Sequence, residues 1–566
     1  MASDREIDKL FALFLFLPLA GVLQFVVANT AGLGASLALG ALVLALWVAT
    51  LSLMVLRGSF FSGFPRPAVG IFGLFAAWTG WITSLPPYFR DDLIIHLEAP
   101  KHVLRAGAWT SIPFQPSSVF PNSLLPLNAV LVNAGLDWAV SYIPALFYLA
   151  AALLLARWAA AEFGAGWGLF AGAGFLLEPV FFRLSTTAYN DPAVAFFSCA
   201  GAYYFWVFLR GGRSADGFKG AVSFAAGSGI KYNAGLLLVV MLVVFFVYSL
   251  RSGAFGPRFR VFLASVAAVL LFCGPWWARF AHDRPVAPAS LFNGPLQERM
   301  ALCGESAAYA LASPVRLFFQ GAEGNRCGYD GGLNPFLLVF GIFCLPFFGG
   351  ASSDRRFLAA SAALFMVSAS LLFAITGRYF LPVVPALMFL SAGFLRAVTV
   401  RRKEAGIALA AAFLAFDAQG YARSALGFDG WGYLLGRESK GAFLSRNVAS
   451  YDATTFANKR LTKKETVYFV FLGNQVYYCD VPYYYDAFWD GSTFMRLFDS
   501  KADVGSIYGE FGSRGITHLL YNKKIMGRYL ANDDLRAKFA AFKEGFAQPV
   551  YSDENAELLE LARRRP

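Results

Sequence analysis

The sequence has little charge for its length. Of its 566 residues, only 15% are Asp, Glu, Lys or Arg, whereas 57% are hydrophobic and the mean hydropathy is +0.52. Soluble domains carry about 25% charged residues, so this composition excludes an ordinary soluble protein. Apolar runs of about 20 residues recur along the chain, and each is long enough to cross a bilayer as a helix. We therefore predict a polytopic α-helical membrane protein. The predicted spans, about thirteen in number, are 9–28, 34–56, 67–85, 137–157, 165–182, 192–209, 216–231, 233–250, 259–279, 334–349, 356–375, 379–398 and 405–422.

The basic residues gather on alternate loops of this prediction. They include Arg57, Arg66, Arg210, Arg213, Arg401 and Arg402. Loops rich in Lys and Arg stay in the cytoplasm, which places the N-terminus inside and the loops at 86–136 and 280–333 outside. The net charge of +12 is then a topology signal and an attraction to anionic membrane lipids, and no nucleic acid partner is expected. No Asn-x-Ser/Thr sequon is present, which favours a bacterial inner membrane over the endoplasmic reticulum.

Histidine and cysteine are also scarce. The chain has four His and six Cys, without a Cys-x-x-Cys pair or a His-rich cluster that would indicate a structural metal. A divalent metal ion remains an alternative through Asp92, His96 or His102, all of which also suit a polar surface. Cys303 and Cys327 share an outer loop, where an oxidising compartment favours a disulfide.

The last part of the chain has the composition of a water-soluble domain. Its alternating and apolar segments predict strands at 466–473, 515–521 and 557–561 and a helix at 533–546. We expect a transmembrane domain over 1–430 and a small α/β domain over 440–566 on the outer face. An aromatic run in this domain suits either sugar stacking or packing on its support. It consists of Tyr477, Tyr478, Tyr483, Tyr484, Tyr485, Phe488 and Trp489.

Side chains of both signs lie where spans begin or end on the predicted outer side. They are Asp91 and Asp92, Asp191 in Tyr189-Asn190-Asp191-Pro192, Lys231-Tyr232, and Arg378-Tyr379, and Lys101 lies on the same loop as the two acids. A carboxylate can take a proton from an acceptor hydroxyl, and Arg or Lys can bind a phosphate leaving group. Each residue also has a structural explanation, since Asp caps helices and basic side chains reach the interface from span ends.

The order of these motifs resembles that of C-type (GT-C) polyprenyl-phosphate-sugar glycosyltransferases. The branch it is most similar to includes protein O-mannosyltransferases and lipid A aminoarabinose transferases. The matching motifs are Asp91-Asp92 in the first large outer loop, Tyr189-Asn190-Asp191-Pro192, Lys231-Tyr232 and Arg378-Tyr379-Phe380-Leu381-Pro382. Two features depart from the family: Asp92 stands where Glu is more frequent, and three spans instead of one precede the acidic loop.

The resemblance implies a membrane enzyme that moves a hexosyl or pentosyl group from a polyprenyl-phosphate carrier to an extracytoplasmic lipid, glycan or protein. It implies an inverting, Asp-based mechanism with Asp91, Asp92 and Asp191 as catalytic candidates. The implied substrate- or phosphate-binding residues are Lys101, Lys231, Tyr232, Arg378 and Tyr379. The alternative is a transporter or lipid-handling protein without glycosyl transfer. Transporters often contain inverted repeats, and no repeat is evident here.

Overall fold

The structure is a computed structural model. It describes residues 2–562 except 62, 113–114, 253–254, 282–294, 326, 345–352, 374, 474, 485–491 and 501–502. Its first part is a bundle of helices. These helices are α1 (Ala2–Thr30), α2 (Leu33–Leu56), α3 (Arg66–Thr83), α4 (Glu98–Ala106), α5 (Leu125–Asn133), α6 (Tyr142–Phe163), α7 (Ala165–Leu177), α8 (Pro179–Ser185), α9 (Asp191–Leu209), α10 (Ser214–Ser228), α11 (Tyr232–Ser252), α12 (Phe255–Arg279), α13 (Pro295–Cys303), α14 (Ala307–Leu311), α15 (Ser313–Gln320), α16 (Pro335–Leu338), α17 (Ser353–Leu372), α18 (Val384–Arg401) and α19 (Lys403–Leu426).

The predicted class, a polytopic helical membrane protein with a small C-terminal sheet domain, is confirmed. Helical structure occurs in each of the thirteen predicted spans. Within the described residues, eight helical segments are long and apolar enough to cross a bilayer. A ninth is added if α7 and α8, which meet at an angle of 64°, form one broken span. The number of thirteen therefore stays a prediction.

Burial separates the centre of the bundle from its lipid-facing helices. Most of α6 and α9 is buried, whereas α2 and α19 present apolar side chains outward. Leu46 on α2 and Ile407 on α19 are both more than half exposed. Because the hydrocarbon of a bilayer takes such side chains at no cost, these two helices suit the rim of the bundle.

The segment between α3 and α6, which we call the acidic loop (residues 84–141), contains only short helices and turns among its described residues. It contains a π-helical turn (Asp92–His96), α4, a short 3₁₀ turn (Pro116–Val119) and α5. Its most polar part begins at the π-helical turn.

The tail of the chain folds around a five-stranded mixed sheet. Its helices are α20 (Trp431–Leu434), α21 (Lys440–Asn447), α22 (Tyr451–Arg460), α23 (Ser492–Asp499), α24 (Val504–Ser513), α25 (Lys523–Tyr529) and α26 (Asp533–Phe546). Its strands are β1 (Val467–Val470), β2 (Tyr483–Tyr484), β3 (His518–Asn522), β4 (Ala547–Ser552) and β5 (Ala556–Leu561).

The strand order is β2-β1-β3-β5-β4, with β1 parallel to β2 and β3, and β5 antiparallel to β3 and β4. All residues of β1 are buried, as expected for an inner strand covered on both faces. The predicted strands and the predicted helix α26 are confirmed.

The tail rests on the acidic loop through polar contacts to its backbone. Lys101 Nζ donates to the carbonyl oxygens of Tyr477 and Cys479 and pairs with Asp480 at 2.9 Å. Arg105 Nη2 donates to the Cys479 carbonyl oxygen at 2.7 Å. The Tyr478 hydroxyl donates to a carbonyl oxygen of the loop, that of Pro87, at 2.6 Å. Of the predicted aromatic run, Tyr485, Phe488 and Trp489 lie outside the described residues.

A buried acid lies at this contact. Glu98 is fully buried, and neither carboxylate oxygen has a hydrogen-bond partner among the described residues. Burial raises the pKa of Glu98 to about 8, against the attraction of Lys101 and Arg105. The folded protein therefore holds this proton over a pH range in which the unfolded chain has lost it.

Glu98 makes stability depend on pH in a defined direction. A folded pKa above the unfolded one contributes stability that is complete below about pH 4.5 and is lost as pH rises through about 8. Gln at position 98 resembles the neutral acid, so Glu98→Gln should raise the apparent unfolding temperature by several degrees at pH 8.5 and have little effect at pH 4.5. Thermal unfolding in detergent measures both. Glu554→Gln, which alters an exposed acid, is the control, and equal shifts at both pH values would contradict the prediction.

Candidate active site

The π-helical turn positions the two adjacent acids of the acidic loop. The Leu97 N–H donates to the Asp92 carbonyl oxygen at 2.9 Å, five residues back, which is the π-helical spacing. Such turns are rare and occur mostly at functional sites. They rotate the following residues relative to a regular α-helix. Asp91 and Asp92 consequently meet different partners.

Two ion pairs form in this region. One joins the acidic loop to the turn before α18, and the other joins α9 to the residue before α11. Arg378 Nη1 lies 2.6 Å from Asp91 Oδ2. Lys231 Nζ donates to both oxygens of Asp191, at 2.7 and 2.9 Å. Sequence distances of 287 and 40 residues separate the partners, so only the fold brings them together.

Three of these four side chains lie at the N-terminal end of a helix or in the turn directly before it. Asp191 is the first residue of α9 and is followed by Pro192, which suits the first turn of a helix because its missing N–H would be unpaired there. Lys231 lies directly before α11. Arg378 belongs to a 3₁₀ turn (Gly377–Val383) that leads into α18. Each charge is thus carried by backbone that a packed helix holds in place.

Aromatic rings surround the two cations. The Tyr232 hydroxyl lies 3.1 Å from the Tyr379 hydroxyl, and the Lys231 ammonium lies 5.0 Å from the centroid of the Tyr379 ring. The Arg378 guanidinium is 5.4 Å from the ring centroid of Tyr189 and 5.3 Å from that of Tyr379. Cations are attracted to ring faces at these distances. The rings hold both basic groups without neutralising them.

The pKa values of the two adjacent acids are shifted in opposite directions. Burial by itself raises the pKa of Asp91, but the charge and hydrogen bond of Arg378 bring it down to about 2. Burial and the charge of Asp91 raise the pKa of Asp92 well above its ordinary range. Asp92 Oδ1 accepts a hydrogen bond from the Ala188 N–H at 3.0 Å. The site therefore favours the ionised form of Asp91 and the protonated form of Asp92.

His96 is the neutral member of the cluster. Burial lowers its pKa to about 4, although it interacts electrostatically with Asp91, Lys231, Asp191 and Arg378. Its Nδ1 atom is buried and has no hydrogen-bond partner in the described part of the chain. The imidazole ring lies 5.8 Å from the Tyr189 ring. His96 was predicted as a metal candidate, and the structure places it among the charged pairs.

The structure does not bring every predicted residue to this cluster. Lys101 contacts the tail, and the His102 Nε2 atom lies 3.2 Å from the Thr110 hydroxyl. Contacts to a segment 378 residues away in the sequence could not be derived from local spacing. Among the residues that the structure describes, no group of three or more His, Cys, Asp or Glu is arranged to hold a metal ion. Neither Lys101 nor His102 is carried into the proposal below.

The disulfide predicted between Cys303 and Cys327 is present in the structure. It joins α13 to the segment before α16. Beside it, Arg299 and Arg316 both pair with Glu305, at 2.7 and 3.1 Å. The bond and the ion pairs together link α13, α15 and the segment that contains Cys327.

Sequence reasoning missed two contributors to the cluster. Tyr189 was quoted only as part of a motif, yet its ring contacts Arg378. The backbone N–H of Ala188 binds Asp92, and a backbone donor leaves no signal in the sequence. The available sign in the sequence was an aromatic residue, Tyr189, two positions before the acid Asp191 at the start of a predicted span.

Comparison with known proteins gives a consistent picture of the fold. No family model and no curated protein matches the sequence. The crystal structure of ArnT from Cupriavidus metallidurans in the apo state is similar, with a TM-score of 0.55, 16% identity, and coverage of 88% of this chain and 99% of that chain. ArnT from the same organism bound to undecaprenyl phosphate gives a TM-score of 0.54 and 15% identity, with 88% and 99% coverage.

An oligosaccharyltransferase from Archaeoglobus fulgidus in complex with Zn and sulfate is also similar, with a TM-score of 0.50 and 12% identity. That match covers 87% of this chain and 73% of the archaeal one. At identities this low, the structural similarity shows a common fold. The fold that the resemblance implied is confirmed: this chain shares its fold with ArnT and with the archaeal oligosaccharyltransferase.

Proposed function

We propose that this chain is a membrane glycosyltransferase that moves a sugar from a polyprenyl-phosphate carrier to an acceptor. The observation that carries the proposal is the pairing of Arg378 with Asp91 and of Lys231 with Asp191 in one cluster. Two cations placed together suit a phosphate group, and an acid beside them suits proton removal. The crystal structure of ArnT bound to undecaprenyl phosphate supports a polyprenyl carrier.

In the proposed reaction, the acceptor hydroxyl oxygen attacks the anomeric carbon of the donor sugar. The bond between this carbon and the phosphate oxygen breaks, and the electron pair leaves with the carrier phosphate. Arg378 and Lys231 stabilise the charge that grows on the phosphate. Asp91 takes the proton of the acceptor hydroxyl as general base. Attack opposite to the leaving group inverts the anomeric configuration.

Before substrate binds, Asp91 and Asp191 are each occupied by an ion pair with a cation of the site. With Arg378 bound to it, Asp91 has a pKa of about 2 and is a weak base. A donor phosphate that attracts Arg378 weakens this pair, so the pKa of Asp91 rises toward the range in which a carboxylate accepts protons well. Donor binding would thus activate the base. Asp191 pairs with Lys231 in the same way, and Asp92 positions the turn by accepting a hydrogen bond from the Ala188 N–H.

We place this chemistry on the extracytoplasmic side of a bacterial inner membrane. The positive loops of the sequence support an N-terminus inside, residues 1–430 as the membrane domain and residues 440–566 as an outer domain. A cysteine introduced at Asn555 should then react with an impermeant reagent added to intact cells after the outer membrane is opened. Reaction only after lysis of the inner membrane would contradict this orientation.

The experiment that tests the function is sugar transfer by the purified protein in lipid vesicles. A panel of undecaprenyl-phosphate sugars, hexosyl and pentosyl, is offered with a mixture of envelope glycolipids and glycans. Release of undecaprenyl phosphate that depends on an acceptor is the expected result. Binding of the carriers without release from any member of the panel would favour the alternative, a lipid-handling protein.

A further inference from the structure

A cavity of about 210 Å³ lies beside the turn that carries the two adjacent acids. Its apolar walls include the rings of Phe89, Phe182 and Phe428. Drug-sized sites measure about 300–1,000 Å³, so this cavity suits one sugar ring better than a lipid tail. None of the site residues described above lines it.

The cavity borders the acidic pair through the chain itself. Phe89 precedes Asp91 by two residues, and Thr186, another wall residue, precedes Ala188 by two. Two residues span at most about 7 Å, and the Ala188 N–H binds Asp92. A group in the cavity would therefore lie close to the acids, whose other neighbours are the cations of the proposed donor site.

Charged groups in the cavity wall are paired, with one exception. Arg183 Nη1 lies 3.1 Å from Glu323 Oε1, and the Ser424 hydroxyl donates to Glu323 at 3.3 Å. Asp429 is paired with Arg446. Arg423 is exposed and has no ion pair or side-chain hydrogen bond with any residue that the structure describes. The cavity thus offers one unneutralised cation next to aromatic rings.

The surroundings place the cavity at the level of lipid headgroups. Phe428 packs on Trp431, whose ring lies 5.5 Å from that of Trp78 and 5.6 Å from that of Trp81. Tryptophan clusters at span ends are typical of the interface between hydrocarbon and water. A ligand in the cavity can therefore be a headgroup that stays attached to a membrane anchor.

We propose that this cavity is the acceptor subsite and that it takes a sugar ring bearing an acidic substituent. The inference rests on the proposed function and adds the class of acceptor to it. The ring lies against Phe89, Phe182 and Phe428, which offer flat apolar faces to its C–H groups. Its acidic group binds Arg423, and its hydroxyls meet the Glu323–Ser424 side of the wall. The hydroxyl that receives the donor sugar then faces the acidic pair.

Equilibrium binding of small probes tests this proposal without any requirement for transfer. Saturation-transfer NMR on the protein in nanodiscs compares methyl β-glucuronide, methyl β-glucoside and inorganic phosphate. We expect the glucuronide to bind several-fold more tightly than the glucoside and phosphate to compete weakly. Arg423→Ala should weaken the glucuronide by about tenfold and leave the glucoside unchanged, since a charge-assisted hydrogen bond is lost.

Two variants control the measurement. Arg437→Ala removes another exposed arginine of the same segment, outside the cavity, and should bind both sugars like the parent. Ser424→Phe fills the cavity and should abolish the binding of both sugars while undecaprenyl phosphate still binds. Equal glucuronide affinity in the parent and Arg423→Ala would overturn the proposal. So would competition by phosphate as strong as that by glucuronide, which would indicate an anion site without a sugar subsite. If sugars bind as expected and no donor is ever consumed, the proposed function fails and the cavity assignment as a sugar site remains.

Discussion

Replacing Asp91 by Asn is expected to slow sugar transfer by about 10²–10⁴-fold, the typical loss when a general base is removed. Asn retains the shape of the side chain and can still approach Arg378, but it cannot accept the proton of the acceptor hydroxyl. Donor binding should persist, because Arg378 and Lys231 are unchanged. The measurement is the rate of undecaprenyl phosphate release at saturating donor, together with donor affinity.

Asp92→Asn is the matched control for this experiment. Asp92 is buried, and burial with the charge of Asp91 holds its pKa well above the ordinary range. Asn resembles the protonated acid and its oxygen can still accept from the Ala188 N–H. The Asp92 variant should therefore remain within about tenfold of the parent rate, a difference worth about 1.4 kcal/mol in barrier height. A folded Asp91→Asn protein as active as the parent, or a larger loss in Asp92→Asn, would move the role of base to another acid.

Arg378→Ala is expected to weaken the donor and to change the pH profile of transfer. A hydrogen bond to a charged group contributes about 1.5–3 kcal/mol, so the donor KM should rise by roughly 10–100-fold. The variant also leaves Asp91 buried beside fewer positive charges. The pKa of Asp91, about 2 in the parent, should rise in the variant, so the acid limb of the pH–rate profile moves to higher pH.

Two further variants make the Arg378 result specific. Arg378→Lys keeps the charge but not the planar two-nitrogen fork, and should recover only part of the donor affinity. Arg401→Ala removes an exposed arginine at the other end of α18 and should leave KM and the pH profile unchanged. An Arg378→Ala protein with normal donor KM and an unshifted acid limb would show that this arginine does not bind the phosphate.

The sequence predicted the parts of the fold that depend on local pattern. Apolar run length marked the helices, and the buried strand around Val467–Val470 was visible as a short apolar run between polar segments. The fifth strand, Ala556–Leu561, was also predicted, from the short apolar segment at 557–561, and its adjacent residues Leu558 and Leu559 are both buried. The number of spans could not be fixed, since α10 and the bent pair α7 and α8 are too short or too broken for a length rule.

Most residues of the candidate site could be predicted from the sequence, but the ion pairs between them could not. Asp91, Asp191, Lys231 and Arg378 were selected because each lies at a span end on one side of the predicted topology. Their pairing could not be derived, because the partners meet only through helix packing. Lys101 shows the limit most clearly. It lies on the acidic loop as expected, but its ammonium group binds the carbonyl oxygens of Tyr477 and Cys479 in the tail.

The way α4 holds the tail bears on how such enzymes can be recombined. Lys101 and Arg105 bind the carbonyl oxygens of Tyr477 and Cys479. Side chains at these two positions can therefore change without removing those bonds, provided that the backbone turn keeps its shape. A tail taken from a distant homologue should attach to this membrane bundle if it presents the same pair of carbonyls. We therefore expect that the C-terminal domain can be exchanged at this contact while the acidic loop remains intact.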